Sequence, residues 1–193
     1  MPKKIVIIDG HPDPDRGRFC HALADAYAAG AAAGGHQVRR IDVARTEVHF
    51  LRSALEWQSG EPVPAIRESQ DAIFWAEHLV IIYPLWLGSM PALLKAFLEQ
   101  VCRPGFAIAE GKRTMWPGLL TGRSARIVVT MGMPAFLFRW YFLAHSLKSL
   151  ERNILRFAGI GPIRETLIGS VEASAATRQR WLARIAALGG AAR

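Results

Sequence analysis

The sequence predicts an α/β protein, a single domain built on a doubly wound five-stranded parallel sheet with strand order 2-1-3-4-5. Three observations predict it. Apolar runs at Ile5–Ile8, Leu79–Ile82 and Ile127–Val129 are nearly continuous instead of alternating, as strands covered on both faces must be. Between the strands lie stretches with helical spacing, long enough for the right-handed crossovers that parallel strands need. Two strands also end in Gly/Pro turns, Pro84–Gly88 and Gly132–Pro134, at the sheet edge where ligands settle in open α/β folds. With 193 residues the chain has room for one substantial core, so 1–193 reads as one domain.

In chain order, Lys3–Asp9 is the first strand and Gly10-His11-Pro12-Asp13-Pro14 turns the chain. Helical periodicity then runs through Phe19, Leu23, Ala26 and Tyr27 to the stop signal Gly34-Gly35. The intervening loop is neither a GxGxxG fingerprint nor a P-loop, but it points at a helix amino end, where free N–H groups favour an anion, and Arg16 and Arg18 add charge there. His36–Val43 reads as an edge strand, Ala44–Pro64 as an irregular connection with one short helical turn at Ser53–Gln58, and Ile66–His78 as a helix. The central strand follows and stops at Tyr83-Pro84. Ser89 stands where a helix N-cap belongs, Pro91 falls in the first turn, and Leu94, Phe97, Leu98 and Val101 repeat at helical spacing.

Pro104–Gly122 is a glycine- and proline-bearing loop around Phe106, Ile108, Met115 and Trp116, expected to cover a site or pack on a partner. Ser124–Met131 is the fourth strand. Pro134–His145, PAFLFRWYFLAH, is too rich in aromatics for one stripe of a surface helix, which leaves core, homodimer interface or membrane surface as its destination. Arg139 in its middle argues against deep insertion into lipid. Helical spacing continues from Leu143 to Phe157, Pro162–Ser170 is the fifth strand, and Ala173–Leu188 is the closing helix.

Composition narrows the function. Apolar residues are 51% and charged residues 21% of the chain, and no apolar run approaches the ~20 residues a spanning helix needs, so a cytoplasmic protein is expected. Cys20 and Cys102 are the two cysteines, with no spacing that suits a metal or a disulfide framework. The net charge of +8 is spread along the chain without a zinc finger or an RNA-binding aromatic motif, which argues against a nucleic-acid partner. No GxSxG elbow or carboxylate pair points to hydrolysis.

Two segments carry a resemblance. PLWLGSMPALLKAFLEQV with the following Gly105-Phe106-Ala107, and Gly-His-Pro followed by Phe-x-His-Ala-Leu, resemble the flavin-binding segments of the NAD(P)H:quinone oxidoreductase family, flavoproteins of flavodoxin-like fold. The resemblance implies a bound flavin, FAD with FMN as the alternative, and NAD(P)H as co-substrate. It further implies hydride transfer to a quinone or similar acceptor, and a homodimer. By the match, His11, Arg18, Phe19 and Cys20 are candidate flavin-phosphate contacts, although the family shows Ser or Thr, and Asn, near the positions of Gly17, Arg18 and Cys20. Pro84, Leu85, Trp86, Leu87 and Gly88, with Thr130, Met131 and Gly132, are candidates for the flavin ring. Tyr141 and His145 are candidate donors to the quinone oxygen, each also readable as a packed aromatic or a capping histidine. The same family includes accessory subunits of potassium-efflux transporters, so a flavin-binding regulatory protein with little turnover is the alternative.

Overall fold

A computed structural model describes residues 1–110, 118–172 and 174–193. Five parallel strands, β1 (Lys4–Asp9), β2 (Gln37–Asp42), β3 (His78–Pro84), β4 (Ser124–Thr130) and β5 (Ile163–Ile168), lie in the order β2-β1-β3-β4-β5. The order is the one expected.

Strand alternation divides the core in two. Leu79, Ile81 and Tyr83 of β3 face one layer, with Val6, Ile8, Ile127 and Val129. Val80 and Ile82 face the other, with Ile5, Ile7 and Val128. Helices α3 (Pro64–Trp75), α4 (Ala92–Val101) and α5 (His145–Ser149) cover the first layer; α1 (Phe19–Ala33) and α6 (Ala175–Gly190) cover the second. This two-sided burial is why β3 carries no polar side chain between Leu79 and Ile82.

Helix α1 stops where its glycines require. Gly35 takes φ +77, and the bonds from Gly35 N–H to Ala32 O and from His36 N–H to Ala31 O close a Schellman turn. Further along, α1 and α6 cross so closely that a Cβ on Gly30 would stand 1.9 Å from the Ala186 carbonyl oxygen. The irregular connection contains α2 (Ala54–Ser59), opened by an N-cap: Ser53 Oγ accepts from Glu56 N–H, and Glu56 Oε2 reaches back to accept from Arg52 N–H, one residue before the cap. Buried Arg103 pins this connection to α4, donating to the Glu56 and Gly60 carbonyls and to Gln100 Oε1.

Three expectations are corrected. The third helix ends at Trp75 rather than His78, because Ala76 turns extended and Glu77 N–H pairs with Lys4 O, so His78 opens β3. Ser89 is not an N-cap: it closes a two-residue turn with Trp86, and Pro91 caps α4. The helix expected from Leu143 to Phe157 starts only at His145 and changes character midway. A π-helical turn at Leu137–Tyr141 ends in left-handed Leu143 and Ala144, α5 follows, and a second π-helical stretch runs Leu150–Arg156. In the 104–122 loop, Met115 and Trp116 lie outside the described residues, and its described parts pack inward, Leu119 N–H on Ala107 O and Leu120 N–H on Ala158 O.

Candidate flavin site at the strand ends

Three loops leave the carboxyl ends of β1, β3 and β4 side by side. Pro84 and Thr130 are register partners, Leu85 N–H donates to Thr130 O at 2.7 Å, and Gly10 N–H donates to Ile82 O at 2.7 Å. The His11 ring meets Trp86 edge-on at 5.9 Å, joining the first loop to the second. Gly10 permits this close approach, since a Cβ there would lie 2.7 Å from the Leu94 side chain and 3.1 Å from the Ile82 carbonyl oxygen.

The tip of the β3 loop is a tight hairpin turn. Trp86 and Ser89 exchange main-chain bonds of 2.8 and 2.9 Å, and both central residues, Leu87 (φ +47) and Gly88 (φ +78), are left-handed, the type I′ pattern. Leu87 stands fully in solvent and Trp86 half so. The main-chain N–H groups of Leu87 and Gly88, and of Gly132 and Met133 across the gap, have no partner among the described residues. Nothing lies within 4 Å of where a Cβ of Gly88 or Gly132 would be. An open shelf results, with one flat aromatic and four unspent donors.

At the first loop the α1 amino end lacks a side-chain cap, and Phe19 and Cys20 N–H are left unpaired among the described residues. The loop's arginines are spoken for. Arg16 pairs with Asp25, and Arg18 with Asp13 and Asp15, so neither is the free positive charge the sequence suggested. Beneath the loop lies a pair that sequence reasoning missed. His21 and Asp9, both buried, meet at 2.6 Å through Nδ1 and Oδ2, and His21 Nε2 reaches the Asp13 carbonyl at 2.8 Å. A carbonyl only accepts, so Nε2 carries hydrogen, and the second hydrogen between His21 and Asp9 is shared by the pair. Burial lowers the His21 pKa, but the Asp9 hydrogen bond, the Asp13 carbonyl and the Asp9 charge outweigh it and leave the value raised. For neighbouring His11, burial and then the His21 charge push the pKa down. The available sequence signals were an acid closing a buried strand and a histidine inside the apolar stripe of α1.

The other sequence candidates divide. Cys20 is turned into the core with Sγ 3.3 Å from Thr130 Oγ1, its thiol pushed by burial up to about 12, so its backbone alone faces outward. Met131 is buried, its N–H bonded to Ile168 O and its carbonyl to Val171 N–H. Tyr141 is exposed and packs edge-on against Phe142 at 5.0 Å. His145 Nδ1 donates to the Phe142 carbonyl at 2.7 Å, which leaves Nε2 of the neutral ring an acceptor. Neither makes a hydrogen bond or ring contact with 84–88 or 130–132 among the described residues.

Strand order and two-sided helical cover define a protein of the flavodoxin-like class, and comparison with known proteins agrees. A family described as having a flavodoxin-like fold matches residues 3–188, and the chain belongs to it. The chain is 26% identical over 171 residues, 86% of its length and 83% of the relative's, to an uncharacterized NAD(P)H oxidoreductase of Haemophilus influenzae. It is 25% identical over 171 residues, 86% of its length and 84% of the relative's, to an FMN-dependent NADH:quinone oxidoreductase of Mycoplasma genitalium. Among solved structures, the NAD(P)H:quinone oxidoreductase from Methanothermobacter marburgensis superimposes with TM-score 0.79 at 22% identity over 98% of this chain and 96% of that one, a likeness of fold.

Proposed function

We propose that the protein is an FMN-dependent NAD(P)H:quinone oxidoreductase. The observation that carries the reading is the shelf at three neighbouring strand ends, where an exposed indole and four unpaired main-chain donors surround open space. These residues fit a flavin. Phe19 and Cys20 N–H would receive its phosphate, and Trp86 would lie against its ring. The donors at Leu87, Gly88, Gly132 and Met133 would meet its polar edge, where negative charge on reduction needs stabilising. When bound, the flavin supplies the hydride chemistry and the protein supplies position and electrostatics.

FMN replaces FAD in this reading because relatives whose names specify a flavin are FMN-dependent. Tyr141, whose phenol makes no hydrogen bond among the described residues, is the proposed donor to the acceptor oxygen; His145 would donate only as imidazolium, since its Nδ1–H is engaged. In this reading exposed Leu137, Tyr141 and Phe142 form a homodimer interface that sets Tyr141 beside a flavin shelf.

The test is reconstitution of the purified chain with FMN or FAD, then anaerobic addition of NADH or NADPH and of a soluble quinone. The expected result is FMN retained in preference to FAD, its absorbance bleached by the nicotinamide and restored by the quinone, with Tyr141→Phe slowing restoration but not bleaching. FMN bound without turnover supports the accessory role instead; failure to bind either flavin removes the assignment.

A further inference from the structure

The strongest feature that the flavin reading does not use lies on the far side of the sheet. Strand β5 is an edge. Pro162 O accepts from Ala125 N–H and Ile168 O from Met131 N–H, so the even-numbered residues of β5 turn their main chain toward β4. In a parallel ladder the alternate residues, Ile163, Glu165 and Leu167, then point N–H and C=O outward, and no partner for them exists among the described residues.

This edge is the floor of a groove. Two adjoining cavities of about 920 and 470 Å³ share Arg126, Arg139, Trp140 and Glu165 and run along it. On one side stand the π-helical turn, α5 and the second π-helical stretch, with Trp140, Lys148 and Arg152; on the other stand Arg126, Arg164 and, from α6, Trp181 and Arg184. Among the described residues seven cations line the two cavities against two carboxylates, and both carboxylates are already paired, Glu165 with Arg139 and Glu151 with Arg156. Lys148, Arg152 and Arg164 have no ion-pair partner among the described residues. The exposed apolar side chains also split here: Phe136, Trp140 and Leu143 face the groove, whereas Leu137, Tyr141 and Phe142 line neither cavity and are left for the interface proposed above.

An unpaired strand edge asks for another backbone, unpaired arginines on both sides of it ask for negative charge, and the indoles offer apolar contact. We propose that the β5 edge docks an acidic, extended segment of a partner protein as a sixth strand, with its carboxylates on Lys148, Arg152 and Arg164. The six residues of β5 set the length, about 20 Å of strand. The proposal stands apart from the flavin reading, because the edge is built from other residues.

The test uses the full chain and a capped octapeptide of alternating Glu and Val, with a Lys/Val octapeptide and an oligodeoxythymidylate as competitors. Expected are saturable binding of the acidic peptide alone and at least tenfold slower hydrogen exchange at the amides of Glu165 and Leu167. In the double variant Lys148→Glu/Arg152→Glu, whose replaced side chains hold no ion pair, the affinity drops by about tenfold or more. Binding that leaves those two amides unprotected, equal affinity in the double variant, or tighter occupation by the oligonucleotide would each overturn it.

Discussion

The Asp9–His21 pair under the first loop makes a demanding prediction, because two substitutions at one contact should behave very differently. Replacing His21 with Leu strands the Asp9 carboxylate in a dry site, with the His11 N–H at 3.4 Å and Arg40 at 3.9 Å as its remaining partners. Breaking a buried pair from one side costs about 3–5 kcal/mol. A domain of this size loses ~2–4 °C per kcal/mol, so its melting temperature should fall by roughly 6–20 °C. Asp9→Asn is different. Its amide can donate to Nδ1 while Nε2–H stays on the Asp13 carbonyl, so every group remains satisfied and the cost should stay within about 1 kcal/mol.

The pH dependence separates them further. The His21 pKa is raised in the folded protein, so the stability the shared proton contributes is fully present below about pH 6.5 and is lost as pH rises through the raised native value. Asp9→Asn should flatten that slope. Urea unfolding of the three proteins across neutral and alkaline pH measures all of this. A cost below ~1 kcal/mol for His21→Leu, or equal costs for both variants, would refute the shared proton.

Other expected outcomes concern packing and strain. Gly30→Ala gains about 1 kcal/mol of helix propensity, yet its Cβ would strike the Ala186 carbonyl, so we expect a net loss of about 1–3 kcal/mol in thermal unfolding; a neutral or stabilised variant contradicts the close α1–α6 crossing. Leu87→Gly relieves a left-handed leucine that buries nothing and should stabilise by about 0.5–1 kcal/mol in a urea titration while leaving FMN affinity intact, because the N–H remains. Arg103→Met abandons three acceptors at once and should cost about 2–4 kcal/mol, with faster proteolytic nicking in the 44–64 connection as the local readout.

What the chain made legible was whatever depends on near neighbours in sequence. The buried run Leu79–Ile82 announces a strand covered on both faces, Gly34-Gly35 announces a helix end, and Ser53 with Glu56 seeds the short helix, because each device lies within a few residues. What depends on contacts across the fold was hidden. His78 has helical company in sequence, but Glu77 is captured by Lys4, from the other end of the chain. Ser89 has the chemistry of a cap and is spent on Trp86 instead. No glycine or proline marks the reversal at Leu143 and Ala144, and π-helical turns do not keep the 3.6-residue period that pattern reading uses.

The distribution of charge shows how such hidden contacts redirect a functional argument. A net charge of +8 and two arginines beside a helix amino end suggest that the positive charge serves an anionic cofactor. In the folded protein those arginines are paired with Asp13, Asp15 and Asp25, and the proposed phosphate end of the shelf would depend on main-chain N–H groups at Phe19 and Cys20, whose dipoles act at contact range and cannot be titrated away. Uncompensated cations gather instead along β5, where Lys148, Arg152 and Arg164 flank an open edge. Free charge next to unpaired backbone is how an edge strand repels its own copies, which carry the same sign, and the same field attracts a segment of opposite sign. On the proposed readings the excess charge bears on the docking of an acidic segment at β5, and the affinity for FMN should change little when salt screens it.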